Sequence, residues 1–170
     1  THLLPEFGMT KNEITQMGFT IDWEVSEITR ALTPSDAARQ VGFGIVGFTE
    51  ALQSLSPDAL ILLGDRYELL AAATSAFFLG VPIVHLHGGE STEGAFDDAI
   101  RHAISRFASL HAVAAEEYAD RLIRAGAAPK DVHVVGGFGI DSIQHTTRLT
   151  RSELESQLGI STSQPLFLVT

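Results

Sequence analysis

From residue 59 onward the sequence alternates short apolar runs with segments of helical periodicity, and no other feature restricts its fold as much. "ALILLG", "PIVHLH", "LHAVAA" and "VHVVGG" are runs of strand length, and "RYELLAAATSAFFLG", "DDAIRHAISRFA" and "EEYADRLIRAG" lie between them. Strands separated by helices build βαβ units around a parallel sheet, so the expected class is α/β. In "DDAIRHAISRF" Ile100, Ala103, Ile104 and Phe107 share one helical face. Two aspartates occupy its first turn, where the helix dipole favours negative charge. Gly126 and Pro129 close the next helix. Upstream, "TIDWEVS" reads as a strand. "SDAARQVGFGIVGFTEALQSL" reads as a long helix whose middle is weakened by three glycines.

The chain has 170 residues, 45% of them hydrophobic, enough for one sizeable core and too few for two. No apolar run approaches the roughly 18 to 20 residues that cross a bilayer, and no basic stretch leads into an apolar one at the N-terminus. The expectation is a soluble cytoplasmic protein, in keeping with the absence of cysteine. A formal charge of −10 with two lysines, Lys11 and Lys130, argues against nucleic acid or an anionic membrane as partner, since both are held through basic patches. A small anion remains compatible, because one arginine and a few backbone N–H groups can hold a phosphate. Both ends read as cut. Residues 1–150 are expected to form an incomplete N-terminal domain, and 151–170, with a helix in "RSELESQLG" and a strand in "PLFLVT", to begin a second one.

In an open parallel sheet, ligands bind outside the carboxyl ends of the strands. The unusual residues collect there. Asp65 and Arg66 follow the first run, His85, His87 and Glu90 the second, Glu116 and Glu117 the third, and Gly136, Gly137 and Gly139 the fourth. Asp97 and Arg101, four apart, share a helix face as a site or as a surface ion pair. Asp65 has a second reading as a helix N-cap. His85 and His87 project to one side of their strand, with a buried structural role expected for His85. Gly88 and Gly89 permit a turn with positive φ or belong to a plain loop. Glu116 and Glu117 are expected to start a solvated helix. "GGFG" is a weak partial dinucleotide fingerprint that still allows close approach to a phosphate at Gly137. The apolar "AAATSAFFLG" is expected in the core rather than in a subunit contact.

Taken together, "LLGDRYELLAAATSAFFLGVPIVHLHGGESTEGAFDDAIRHAISRFASLHAVAAEEY", with the opening "THLLPEFGMT" and the later "VVGGFGIDSI", resembles the UDP-N-acetylglucosamine 2-epimerase family in its hydrolysing branch, which serves sialic and legionaminic acid biosynthesis. The resemblance implies a Rossmann-like parallel sheet with helices on both faces, one half of a GT-B-like two-domain epimerase. It implies a UDP-sugar substrate that loses its C2 proton and UDP to give a glycal, to which water then adds. It implies no cofactor, and a homo-oligomer is the expected assembly. By position it marks Asp65, Asp97 and Arg101 as catalytic, with Glu90 ranked first for a fourth place; Arg66, His85, His87, Gly88, Gly89 and Gly137 are expected to bind substrate. Many relatives carry a glutamate where this chain has His87, so either His87 or Glu90 fills the family's acidic position. Asp97 beside Arg101 is expected to act as a charged organiser, and Asp65 with Glu90 as a carboxylate pair.

UDP-GlcNAc and its 2,4-diacetamido-trideoxy relative are both open as substrates. Two other readings stand beside the epimerase. One is a metal-dependent hydrolase using His85, His87 and Glu90 or Asp97. The other is a noncatalytic nucleotide-sugar-binding domain.

Overall fold

The apolar runs become strands because each finds a parallel neighbour. β1 (Leu60–Leu63), β2 (Ile83–Leu86), β3 (Leu110–Val113) and β4 (Val132–Val134) form one four-stranded sheet in that order. The register sets Leu62 beside His85 and His85 beside His111. In the computed structural model residues 2–26, 31–92 and 96–161 are described, and the expected strand in "PLFLVT" lies outside them. The chain divides into two compact units, Thr1–Gly136 and Gly137–Thr170.

In the first unit the strands are joined by α3 (Tyr67–Leu79), α4 (Phe96–Phe107) and α5 (Glu116–Arg124), preceded by α1 (Lys11–Gln16) and α2 (Pro34–Leu55). All four strand exits therefore point to the same edge of the sheet. The core is a cluster of Leu52, Leu62, Ala72, Ala73, Ala76, Ile83 and Ile104, with Ile100 and Phe107 packed against it. A smaller cluster of Val113, Ala119 and Leu122 holds α5. On β1 the alternation is plain: Leu62 is buried, while Ile61 and Leu63 are exposed. The alanines of "AAATSAFFLG" are core as expected, but Phe77 and Phe78 at its end are exposed.

The glycines of α2 do not interrupt it. Gln40, Gly44, Gly47 and Ala51 are buried at helical spacing and form a narrow stripe. Small side chains let α2 and α3 approach closely, so that the Ser75 hydroxyl of α3 donates to the backbone carbonyl of Ile45 at 2.9 Å. That packing offsets the roughly 1 kcal/mol of helix propensity lost at each glycine. A capping box between Thr33 and Asp36, with Pro34 in the first turn, starts the helix.

"TIDWEVS", expected as a strand, is irregular over Thr20–Ser26. Its apolar alternation is real, but no described strand lies alongside to accept a ladder, and a strand exists only through its partner. The N-terminal segment instead forms a 3-10 turn over Pro5–Phe7 and the short α1. In the second unit, "FGIDSIQH" forms α6 (Phe138–His145), an addition to the expected elements, and Gly137 is its N-cap residue. The following α7 (Arg151–Leu158) begins with a capping box between Thr150 and Glu153 and ends at Gly159 in the left-handed region. Among the described residues no helix is long and apolar enough to cross a membrane.

Candidate active site

The exits of β1 and β2 carry most of the chemistry. After β1 the chain turns at Gly64, with φ 91°, and presents Asp65. The N-cap residue of α3 is Arg66, which is extended and makes no side-chain cap. The N-cap reading of Asp65 is thus overturned. Its carboxylate accepts instead from the Arg101 guanidinium of α4. Arg101 is 7% exposed. Both its terminal nitrogens also donate to the Thr92 hydroxyl at 3.2 Å.

Among the described residues, the carboxylates within 4.0 Å of Arg101 are Asp65 and, at that limit, Asp98. The pair expected between Asp97 and Arg101 from their spacing does not form, because Arg101 reaches back toward the end of β1. Asp98 takes the Thr92 N–H at 2.8 Å. That bond, aided by His102 and Arg101, holds its carboxyl below the usual range. Asp97 is half-buried in the first turn of α4. Arg66 chelates Glu68, with bonds of 2.8 and 3.1 Å. Glu68 chiefly raises the Arg66 pKa at the β1 exit, with smaller contributions from Tyr67 and Asp97. A groove of about 660 Å³, lined among others by Trp23, Phe48, Leu63, Arg66 and Glu68, opens beside it.

At the exit of β2 the two histidines part company. His85 is fully buried. Its Nε2–H donates to the Gly64 carbonyl at 2.8 Å, so Nδ1 is the acceptor for the Ser105 hydroxyl at 3.0 Å. Both ring nitrogens of His85 have partners inside the protein, so the metal-site reading loses the lone pair of its first ligand. Among the described residues no cluster of three His, Asp or Glu side chains is placed to hold a metal.

His87 lies one residue past the strand at φ 60°. There its Nδ1–H donates to Glu90 at 2.7 Å. Asp65 and Glu90 thus each have a nitrogen partner of their own, Arg101 for the one and His87 for the other. Gly88 and Gly89 are both buried. A Cβ on Gly88 would lie 2.9 Å from the Ser105 oxygen and 3.0 Å from His85 Nδ1, and one on Gly89 would lie 2.5 Å from the Tyr118 carbonyl oxygen. At both positions the close packing within the turn leaves no room for a side chain. Arg121 of α5 donates to the Gly89 carbonyl and lies over the Tyr118 ring.

Arg121, Thr92 and Ser105 were missed in the sequence. Ser105 had a signal, standing four residues after Arg101 on one helix face. Arg121 and Thr92 had none. Glu116 and Glu117 are exposed at the start of α5, as expected of a solvated helix. Gly137 belongs to the second unit.

Burial pushes the His85 imidazole from 6.5 down to about 4, against a smaller opposing effect of the Gly64 carbonyl. Burial lowers His111 as well. The folded state thus binds fewer protons than the unfolded state between these values. Stability present above pH 6.5 is lost progressively as pH falls toward 4, by about 3 kcal/mol from His85. Urea unfolding at pH 7 and 4.5 is expected to show this loss. His85→Gln, which keeps a donor for Gly64, is expected to flatten the pH dependence. Equal pH slopes for both proteins would remove His85 as its source.

The family model for UDP-N-acetylglucosamine 2-epimerase matches residues 1–170. The chain belongs to this family. A hydrolysing UDP-N,N'-diacetylbacillosamine 2-epimerase of Legionella pneumophila is 38% identical over 168 residues, 99% of this chain and 44% of the relative. A hydrolysing GDP/UDP-N,N'-diacetylbacillosamine 2-epimerase of Campylobacter jejuni is 36% identical over 169 residues, with the same coverage. The chain thus spans less than half the length of these epimerases. The crystal structure of the UDP-GlcNAc 2-epimerase from Neisseria meningitidis bound to UDP-GlcNAc superimposes with a TM-score of 0.70 at 22% identity, over 91% of this chain and 40% of that one. The α/β class and its GT-B-like epimerase fold stand as expected.

Proposed function

We propose that the protein containing this chain is a hydrolysing UDP-sugar 2-epimerase, cytoplasmic and homo-oligomeric, with this chain supplying the carboxylate half of the active site. The observation that carries the reading is the placement of two bonded side-chain pairs, Asp65 with Arg101 and His87 with Glu90, at adjacent strand exits of an epimerase-family sheet. Removing a weakly acidic C2 proton calls for a positioned base, and departure of UDP calls for stabilisation of the developing phosphate charge. Glu90 is the group suited to take the C2 proton, being partly exposed and backed by an imidazole. Asp65 is bonded to a buried guanidinium and suits a scaffold better than a base. Asp97, half-buried in the first turn of α4, suits an organiser of the charges that meet the substrate. The C2–H and C1–O bonds break to give the glycal and UDP. Water then delivers hydroxyl to C1 and a proton to C2, on the face that inverts it. The chemistry is proton transfer and elimination, with no redox step.

Identities of 36 to 38% to diacetylbacillosamine epimerases, against 28% to a UDP-N-acetylglucosamine 2-epimerase of Neisseria meningitidis, favour the UDP-diacetamido-trideoxy sugar over UDP-GlcNAc. Proton NMR of the complete protein with each sugar in deuterated water tests the reading. Free UDP and a C2-deuterated 2-epimer are expected, faster with the diacetamido sugar. Asp97→Asn is expected to lower turnover at least about 100-fold with the fold intact. No UDP release from either sugar would reject the proposal, and near-normal turnover by Asp97→Asn would remove that residue from the mechanism.

A further inference from the structure

We infer that His87 is a positioning residue for Glu90: its Nδ1–H fixes one carboxylate oxygen and leaves the other directed to the substrate C2–H. The inference rests on the epimerase reading and extends it to a side chain that stands where many relatives carry the acid itself. An ionised carboxylate only accepts, so the 2.7 Å contact places the proton on His87 Nδ1. Both side chains are partly open, 26% and 29% exposed, whereas His85 two residues earlier is sealed. The pair is thus within reach of a ligand.

The backbone is committed to this geometry. His87 sits at φ 60°, a conformation unfavourable for a residue with a Cβ, and such strain persists where the surroundings over-determine it. Its N–H donates to the Ala112 carbonyl at 2.9 Å, which ties the residue to β3. Gly88 and Gly89 are wedged against Ser105, His85 and α5, and Arg121 holds the Gly89 carbonyl. A turn locked on both sides converts the ring position of His87 into a carboxylate position for Glu90. Around the pair, α5 contributes the phenol of Tyr118, whose own ionisation is resisted chiefly by Glu117 and further by Glu90. Arg121 is the cation of that helix nearest the turn. None of these replaces the imidazole, because the 2.7 Å bond to Glu90 is made by His87 itself.

Two substitutions separate positioning from turn shape. Glycine relaxes the positive φ and removes the donor, while asparagine tolerates that φ and returns an N–H close to the Nδ1 position. In the complete enzyme, His87→Gly is expected to lower kcat about 100-fold with KM changed less than about threefold, and His87→Asn to restore kcat to within about fivefold of wild type. Long-range proton–nitrogen NMR of the protein is expected to find His87 Nδ1 protonated. The inference is overturned by unimpaired kcat in His87→Gly, by equal losses in both variants, or by a His87 ring with Nδ1 bare. If wild type turns over neither UDP-sugar, the proposed function falls and this inference falls with it. An active wild type with an indifferent His87 removes the inference alone.

Discussion

Asp65→Asn is expected to destabilise the protein by about 2–3 kcal/mol, more than a change at a partly exposed surface carboxylate would. The reason lies with the partner. Arg101 is 7% exposed, and its Nε has no hydrogen-bond partner among the described residues, so its guanidinium depends on the groups at its tip. Neutralising Asp65 leaves a buried cation facing the Thr92 hydroxyl and an Asp98 carboxylate at the 4.0 Å limit. Asp65 keeps 22% of its side-chain surface exposed, which sets the effect at the low end of what breaking a buried pair costs. For a protein of this size the melting temperature falls by roughly 4–12 °C. The double variant Asp65→Asn/Arg101→Met removes both charges and is expected to recover most of the loss while remaining inactive. Urea titrations of the three proteins decide it. A loss below about 1 kcal/mol for Asp65→Asn, or a double variant less stable than the single one, would mean that the pair does not hold the β1 exit to α4.

Gly89→Ala is expected to cost about 3 kcal/mol and to abolish the activity carried by the turn. Two independent effects add. At φ 79° an alanine loses roughly 1–2 kcal/mol through its Cβ. That Cβ would also lie 2.5 Å from the Tyr118 carbonyl oxygen and 3.0 Å from Leu122 Cγ, and the first of these is backbone that moves only with α5. Gly136 supplies the control. It has φ 82°, and a methyl group added there would meet nothing within 4 Å, so Gly136→Ala is expected to cost only the conformational part, about 1–2 kcal/mol. Equal effects at the two glycines would show that α5 yields to the turn, and that the close approach is not what holds Glu90 in place.

The edge that carries the candidate site was legible because it depends on local pattern. Strand-length runs alternating with helical periodicity force parallel strands with a common exit edge, and Asp65, His87 and Glu90 lie just past those exits in the sequence itself. The buried role of His85 was also legible, from its place one residue inside the strand's end. "TIDWEVS" misled because alternation reports a preference and not a partner. The Asp97–Arg101 pair misled because spacing on a helix ranks neighbours without competition from elsewhere.

The α/β class, the family and the set of residues sharing one edge of the sheet were all written in the linear order of the chain, since periodicity and motif spacing are properties of neighbouring positions. Who pairs with whom was settled in three dimensions. Arg101 reaches Asp65 across 36 positions and Arg121 reaches Gly89 across 32, while His85 joins Gly64 to Ser105 from two different elements. Such partners are chosen by packing, because a buried charge or imidazole takes whichever complementary group the folded core brings within hydrogen-bond distance.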